Sequence, residues 1–192
     1  MAISDEAGAG QEYEEAVDGV ECSRDLTETE RLLVEQRATE LGLAEVVELL
    51  LKSTDVNVNE MDNDGRTPLS WTAMWKHKPA KKATPRKANT MDYWNILELL
   101  IENNGIDVNS KDVNGWTPLS WAAKNGQSLV LQFLLGVDGL EVNSKDNDGR
   151  TALSLAAEHG ARSCILDLVG NASIDLNFRD NDGQTPLCWV GL

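Results

Sequence analysis

Apolar residues in this chain come in short bursts separated by polar strings of nearly constant wording. The clearest bursts are Val130-Leu131-x-Phe133-Leu134-Leu135 and Cys164-Ile165-Leu166-x-Leu168-Val169, with Val46-Val47-x-Leu49-Leu50-Leu51 as an earlier counterpart. Apolar positions spaced by three and four within each burst give a helix with one buried face. Upstream of each burst stands a glycine, Gly42, Gly126 or Gly160, where a preceding short helix such as 119–124 is predicted to end. Between bursts runs the string V-N-x-x-D-x-[DN]-G-x-T-[PA]-L-[SC], led by Val58, Val108, Val142 and, with Leu for Val, Leu176.

The string carries its own structural logic. Asn-Asp-Gly or Val-Asn-Gly tolerates left-handed backbone at a tight turn, so each string predicts the tip of a projecting β-hairpin finger. Two residues after the glycine come Thr67, Thr117, Thr151 and Thr185, each placed to cap a helix by accepting a bond from a free N–H. Pro68, Pro118 and Pro186 then take the first helical position, where no donor is lost. The unit is finger, helix, turn, helix. Gly115, Gly149 and Gly183 repeat at 149 − 115 = 34 and 183 − 149 = 34, whereas 115 − 65 = 50 separates the first pair. A fixed period of this length predicts an all-α solenoid in which each unit stacks on its neighbours. Recognition is the default role of such a surface.

The residues 117–123, Thr-Pro-Leu-Ser-Trp-Ala-Ala, with Gly126 beyond and Val142-Asn143 opening the next unit, resemble the ankyrin repeat family's T-P-L-H-x-A-A…G…V-N pattern. The wording Val-Asn-Ser-Lys-Asp-Asn-Asp-Gly-Arg-Thr is most similar to ankyrin arrays of filamentous fungi, which often sit in large multidomain proteins. Ser70, Ser120, Ser154 and Cys188 depart from the family by standing where it usually has His, although Ser can still bond locally near the cap. The resemblance implies an ankyrin stack of helix-turn-helix units with β-hairpin fingers, and a non-enzymatic scaffold that binds protein through its concave face.

Domain organisation follows from the period. Residues 1–26 form an acidic, disordered segment in which eight acids (Asp5, Glu6, Glu12, Glu14, Glu15, Asp18, Glu21, Asp25) face one base, Arg24. Residues 27–57 read as a degenerate capping repeat, 58–107 as a repeat, 108–141 and 142–175 as regular repeats, and 176–192 as a truncated one. The chain is expected either to fray from Asp180 onward or to be a piece of a longer array or multidomain signalling protein. The extra length of the second unit places an insertion at 77–92, 92 − 76 = 16 residues, whose Lys78, Lys81, Lys82, Arg86 and Lys87 form a basic loop broken by Pro79 and Pro85. That loop is read as a nuclear-import or polyanion-binding element, with a plain solvated loop as the alternative.

Charge and cysteine usage narrow the partners. The formal net charge is −15, so binding of bare nucleic acid by the whole surface is disfavoured. Three unpaired-looking cysteines, Cys22, Cys164 and Cys188, together with apolar runs too short for a bilayer, point to a cytoplasmic or nuclear protein off the membrane, expected to be monomeric. The Asp-Asn-Asp-Gly strings suggest a calcium loop, but position twelve would fall on Trp71, Leu155 or Trp189 where a bidentate Glu is required. No cofactor or metal is expected, and with only His77 and His159 as bases no catalytic residue is assigned.

The candidate protein-binding surface is carried over from the family's finger tips and first helices. It comprises Arg66, Met74 and Trp75, then Lys111, Val113, Asn114, Trp116, Lys124 and Asn125. Lys145, Asn147, Asp148, Arg150, Glu158 and His159 follow, and Arg179 with Gln184 continues the strip. Trp71, Trp121 and Trp189 share one column of the first helices and are assigned to the core. Trp116 stands instead at the finger position of Arg66 and Arg150, either pointing to solvent as an interface anchor or folded back onto its finger. Replacing Trp116 and Arg150 by Ala is expected to weaken binding at unchanged melting temperature.

Overall fold

A computed structural model describes residues 44–52, 56–74 and 89–190. The acidic segment, the first part of the capping repeat, Trp75 and the basic residues Lys78, Lys81, Lys82, Arg86 and Lys87 lie outside the described residues. The helices within them are α1 (Ala44–Leu51), α2 (Pro68–Met74), α3 (Asn89–Glu102), α4 (Pro118–Asn125), α5 (Ser128–Leu135), α6 (Ala152–Glu158) and α7 (Arg162–Val169). A 3₁₀ turn, Pro186–Trp189, closes the series. The first helices α2, α4, α6 and the 3₁₀ turn pack on one another in chain order as one layer. In the second layer α1 packs on α3 and α5 on α7, and Trp94 of α3 meets Phe133 of α5 edge to face at 6.3 Å.

The local chemistry of the helix starts explains this regularity. Thr117 and Thr151 sit in extended backbone and their hydroxyls accept the N–H of Ser120 and Ser154. Thr67 does the same for Ser70 at 3.3 Å. The serines that replace the family's usual His lie against the capping hydroxyl, with Oγ···Oγ separations of 3.2 Å at Thr67/Ser70 and 3.1 Å at Thr117/Ser120. Thr185 departs from the expectation and makes no side-chain cap. The tighter 3₁₀ turn sends the Cys188 N–H to the Thr185 carbonyl at 2.9 Å, so the donor that the hydroxyl would take is already used.

Between the two layers lies a continuous apolar seam. Leu69, Leu97, Leu119, Leu131, Leu134, Leu153 and Leu168 are all buried within it, and burial of each such side chain stabilises the fold by about 1.5–3 kcal/mol. A second cluster, Ala44, Val47, Val58, Ile96 and Leu100, joins α1 to α3. Helix α3 begins at Asn89, inside the stretch assigned by spacing to the insertion. Residues 89–92 carry neither Pro nor Gly, so the helix extends back through them.

Successive units are also tied by a ladder of asparagine side chains. The Asn59 carboxamide donates to the Gly105 carbonyl at 2.6 Å and accepts the Asp107 N–H at 2.7 Å. Asn109 repeats this with Gly139 and Glu141, and Asn143 with Ser173 and Asp175. Asn is the residue that offers one donor and one acceptor on a short stem, which is why it follows the Val in each string.

Candidate interaction surface

The four fingers, residues 62–66, 112–116, 146–150 and 180–184, share one construction. The leading Asp accepts two backbone N–H groups through a single oxygen: Oδ1 of Asp112 takes those of Asn114 at 2.8 Å and Trp116 at 2.9 Å. Asp62, Asp146 and Asp180 repeat this pattern. The loop closes with the Asp N–H on the carbonyl four residues on, as from Asp146 to Arg150 at 2.9 Å. Among the described residues no strand is formed. The expected β-hairpin is therefore a carboxylate-centred loop, because the Asp side chain occupies N–H groups that a strand ladder would need.

The other carboxylate oxygen links finger to helix. Trp71, Trp121 and Trp189 donate their indole N–H to Oδ2 of Asp62, Asp112 and Asp180 at 3.1, 3.0 and 3.1 Å. The assignment of this column to the core needs correction. Trp71 and Trp189 are half-buried, and only Trp121, 9% exposed, is closed off. Nine residues separate each Asp from its Trp, a spacing visible in the chain but uninformative until the finger is known to turn back on the helix.

At the third finger Leu155 fills the Trp position and can donate nothing. Oδ2 of Asp146 instead accepts the indole N–H of Trp116, thirty residues earlier, at 2.9 Å and Nε of Arg150 at 3.1 Å. Trp116 is thus half-buried and reaches across to the next finger. Its ring stands edge-on to Trp121 with centroids 4.6 Å apart, and the Lys124 ammonium lies 3.8 Å from its centroid. Edge-to-face packing and a cation over the ring contribute about 0.5–1.5 and about 0.5–1 kcal/mol respectively. Both Trp116 and Arg150 donate to a carboxylate whose side chain is 1% exposed, so losing both is expected to lower stability as well as binding.

Around this node the described candidate residues take definite places. Arg66 lies over Trp71 at 5.2 Å and Trp121 at 5.8 Å and pairs with Asp64. Arg150 also meets Asp148 at 2.7 Å and Glu158 at 3.3 Å, and His159 Nδ1 lies 3.1 Å from the Leu155 carbonyl. Asn125 donates to the Met74 carbonyl at 2.9 Å, joining α4 to α2. Lys111, Asn114, Lys145, Asn147, Asp148 and Arg179 are exposed, Gln184 is half-buried, and Val113 projects with 60% of its surface free. Lys145 rests its ammonium 4.2 Å from the ring of Phe178, a contact that the single-position reading of the sequence missed.

Fingers also bond to each other. Asn147 N–H meets the Asn114 carbonyl and Asn181 N–H the Asp148 carbonyl, both at 3.0 Å. The approach is so close that a Cβ on Gly115 would come within 2.8 Å of Asn147 N, and the backbone there has φ +77°. Glycine is required at that point on both counts.

Catalytic chemistry finds little purchase among the described residues. Cys164 is buried, and burial with Asp167 nearby pushes its thiol up to about 11, so the reactive thiolate is suppressed. The exposed Cys188 thiol is pulled down by the Thr185 hydroxyl. The finger carboxylates are engaged by N–H donors, and no cluster of His, Cys, Asp and Glu among the described residues is arranged to hold a metal. No helix among them is long and apolar enough to cross a membrane.

Residues 87–180 match the family model of ankyrin repeats, in three copies. That match supports the ankyrin repeat family for this part of the chain, and the helical stack of the described residues fits a helical repeat solenoid. No curated protein matches the chain.

Proposed function

We propose that this ankyrin-repeat protein is a non-enzymatic scaffold whose finger tips and first helices together bind another protein. Ankyrin repeats are generally protein-interaction modules, and the arrangement around the second finger supports that use here. The observation that carries the reading is Trp116. An aromatic ring held by the hydrogen bond it donates to the next finger, an edge-on Trp121 and an overlying Lys124 is fixed before any ligand arrives, beside the exposed Val113 side chain. Rigid, partly exposed aromatics flanked by Arg or Lys are the usual anchors of protein interfaces, because little side-chain entropy is lost on binding.

The test uses Val113→Glu, which places a charge at the centre of the surface and leaves every hydrogen bond of the finger in place. Leu129→Glu, at a 62% exposed position on α5 in the second layer, is the control. Affinity capture from extracts of the source cells, quantified by mass spectrometry, is expected to lose partner about tenfold with Val113→Glu and to keep it with Leu129→Glu. Melting temperatures should match wild type for both, as surface substitutions shift stability by about 0.5 kcal/mol at most. Retention of partner by Val113→Glu would remove this surface from consideration.

A further inference from the structure

We infer that the ligand of this surface is an acidic protein segment in extended polyproline II conformation, carrying a carboxylate at every third residue. This rests on the recognition reading above and adds the chemistry of the partner. Lys111, Lys145 and Arg179 hold the same position in successive fingers, with 145 − 111 = 34 and 179 − 145 = 34, and all three are exposed. Each is steadied at its post. Lys111 Nζ donates to the Lys145 carbonyl at 2.7 Å, Lys145 lies over Phe178, and Arg179 donates to the Gly183 carbonyl at 2.7 Å.

The bases recur once per unit of a stack whose first helices pack on one another in series, and packed helices stand about 8–10 Å apart, so the row is expected to share that spacing. A polyproline II chain has three residues per turn and rises about 3.1 Å per residue, so side chains three apart line one side at intervals of about 9 Å. A β-strand alternates faces, and its same-face steps of about 6.6 or about 13 Å miss the spacing. Trp116 and Val113 beside the row supply the aromatic and apolar ridge against which polyproline II segments dock.

The neighbouring acids do not cancel this row at its centre. Asp148 is paired by Arg150 and the second finger has neutral Asn114 at that position, so among the described residues only the fourth finger, with its exposed Asp182, sets an acid without an ion pair at that position near its base. The net charge of −15 acts at longer range, where physiological salt screens it beyond about 8 Å.

The experiment measures fluorescence anisotropy of a labelled peptide of Glu-Pro-Pro units against the full chain. Two further peptides serve as comparisons, one of the same composition with its glutamates contiguous and one helical with Glu at every seventh residue. The period-three peptide is expected to bind about tenfold or more tightly than either, and to lose about tenfold in the triple variant K111E/K145E/R179E, whose unchanged melting temperature would show an intact fold. Equal or tighter binding of the helical peptide, binding by none of the three, or indifference to the triple variant would each overturn the inference. Failure here is separable from failure of the surface itself. If Val113→Glu abolishes capture of the cellular partner and the triple variant does not, the surface stands and the acidic ligand falls.

Discussion

The second and third fingers are built to the same plan and satisfy it by different means. In the second, Asp112 receives its indole N–H from Trp121 on the helix directly beneath. In the third that helix offers Leu155, fully buried, and the donors come sideways from Trp116 and from Arg150 within the finger. The constant element is the demand of a buried carboxylate for N–H donors, because an uncompensated charge in such a place is costly. Trp116 and Leu155 are therefore one compensated change, made at positions that look unrelated along the chain.

The most severe way to break this comparison removes the carboxylate. Asp146→Ala would leave two backbone N–H groups, the Trp116 indole and two Arg150 nitrogens without their acceptor, at an expected cost of about 3–4 kcal/mol. Asp112→Ala strands two backbone groups and one indole and should cost about 2 kcal/mol. Urea unfolding followed by circular dichroism measures both. If Asp112→Ala proves the costlier, the third finger does not depend on its borrowed donors.

Compensation itself can be measured as a coupling. Trp116→Ala alone should destabilise by about 1–2 kcal/mol through the lost ring contact and the missing donor to Asp146. Leu155→Trp alone should cost about 1–3 kcal/mol, since the new ring meets Trp116 in a packed site. In the double variant the new indole occupies the vacated space and faces Asp146 as Trp121 faces Asp112. A favourable coupling of about 1 kcal/mol is expected in the double-mutant cycle, and additive losses would show that the two positions are independent.

Much of this was legible in the sequence. The period, the Thr caps at Thr67, Thr117 and Thr151, and the two-helix unit follow from glycine spacing and helix-start chemistry, which act within a few residues. The site was legible only as a strip of positions. That Trp116 would face Asp146 could not be read, because residues thirty apart become neighbours only after the stack sets the finger spacing. The β-hairpin expectation is not confirmed, no strand being formed among the described residues, for a related reason: Asn-Asp-Gly or Val-Asn-Gly marks a turn, but the Asp that leads each finger captures N–H groups that a strand ladder would use. That α3 would reach back to Asn89, into the stretch assigned to the insertion, was not legible either, because alignment counts residues whereas a helix extends wherever its composition permits.

The smallest effect concerns the tip of the second finger, where Val113 stands at the position of Asn147 and Asn181. Those two asparagines donate Nδ2 to the preceding finger, Asn147 to the Val113 carbonyl at 2.9 Å and Asn181 to the Asn147 carbonyl at 3.0 Å. Val113 already makes the accompanying backbone bond, its N–H meeting the Asp64 carbonyl at 2.9 Å, so the backbone is in register and only the side-chain donor is missing. Val113→Asn should therefore supply a bond to the first finger and stabilise by about 0.5–1 kcal/mol, while removing an exposed apolar surface that contributes little to folding. A shift of the urea midpoint to higher concentration at unchanged slope is the expected result. Should the same variant also weaken capture of the partner, the valine is kept at the tip for binding and at the expense of finger-to-finger cohesion; a variant that is no more stable than wild type would mean that the first and second fingers are not spaced as the later pairs are.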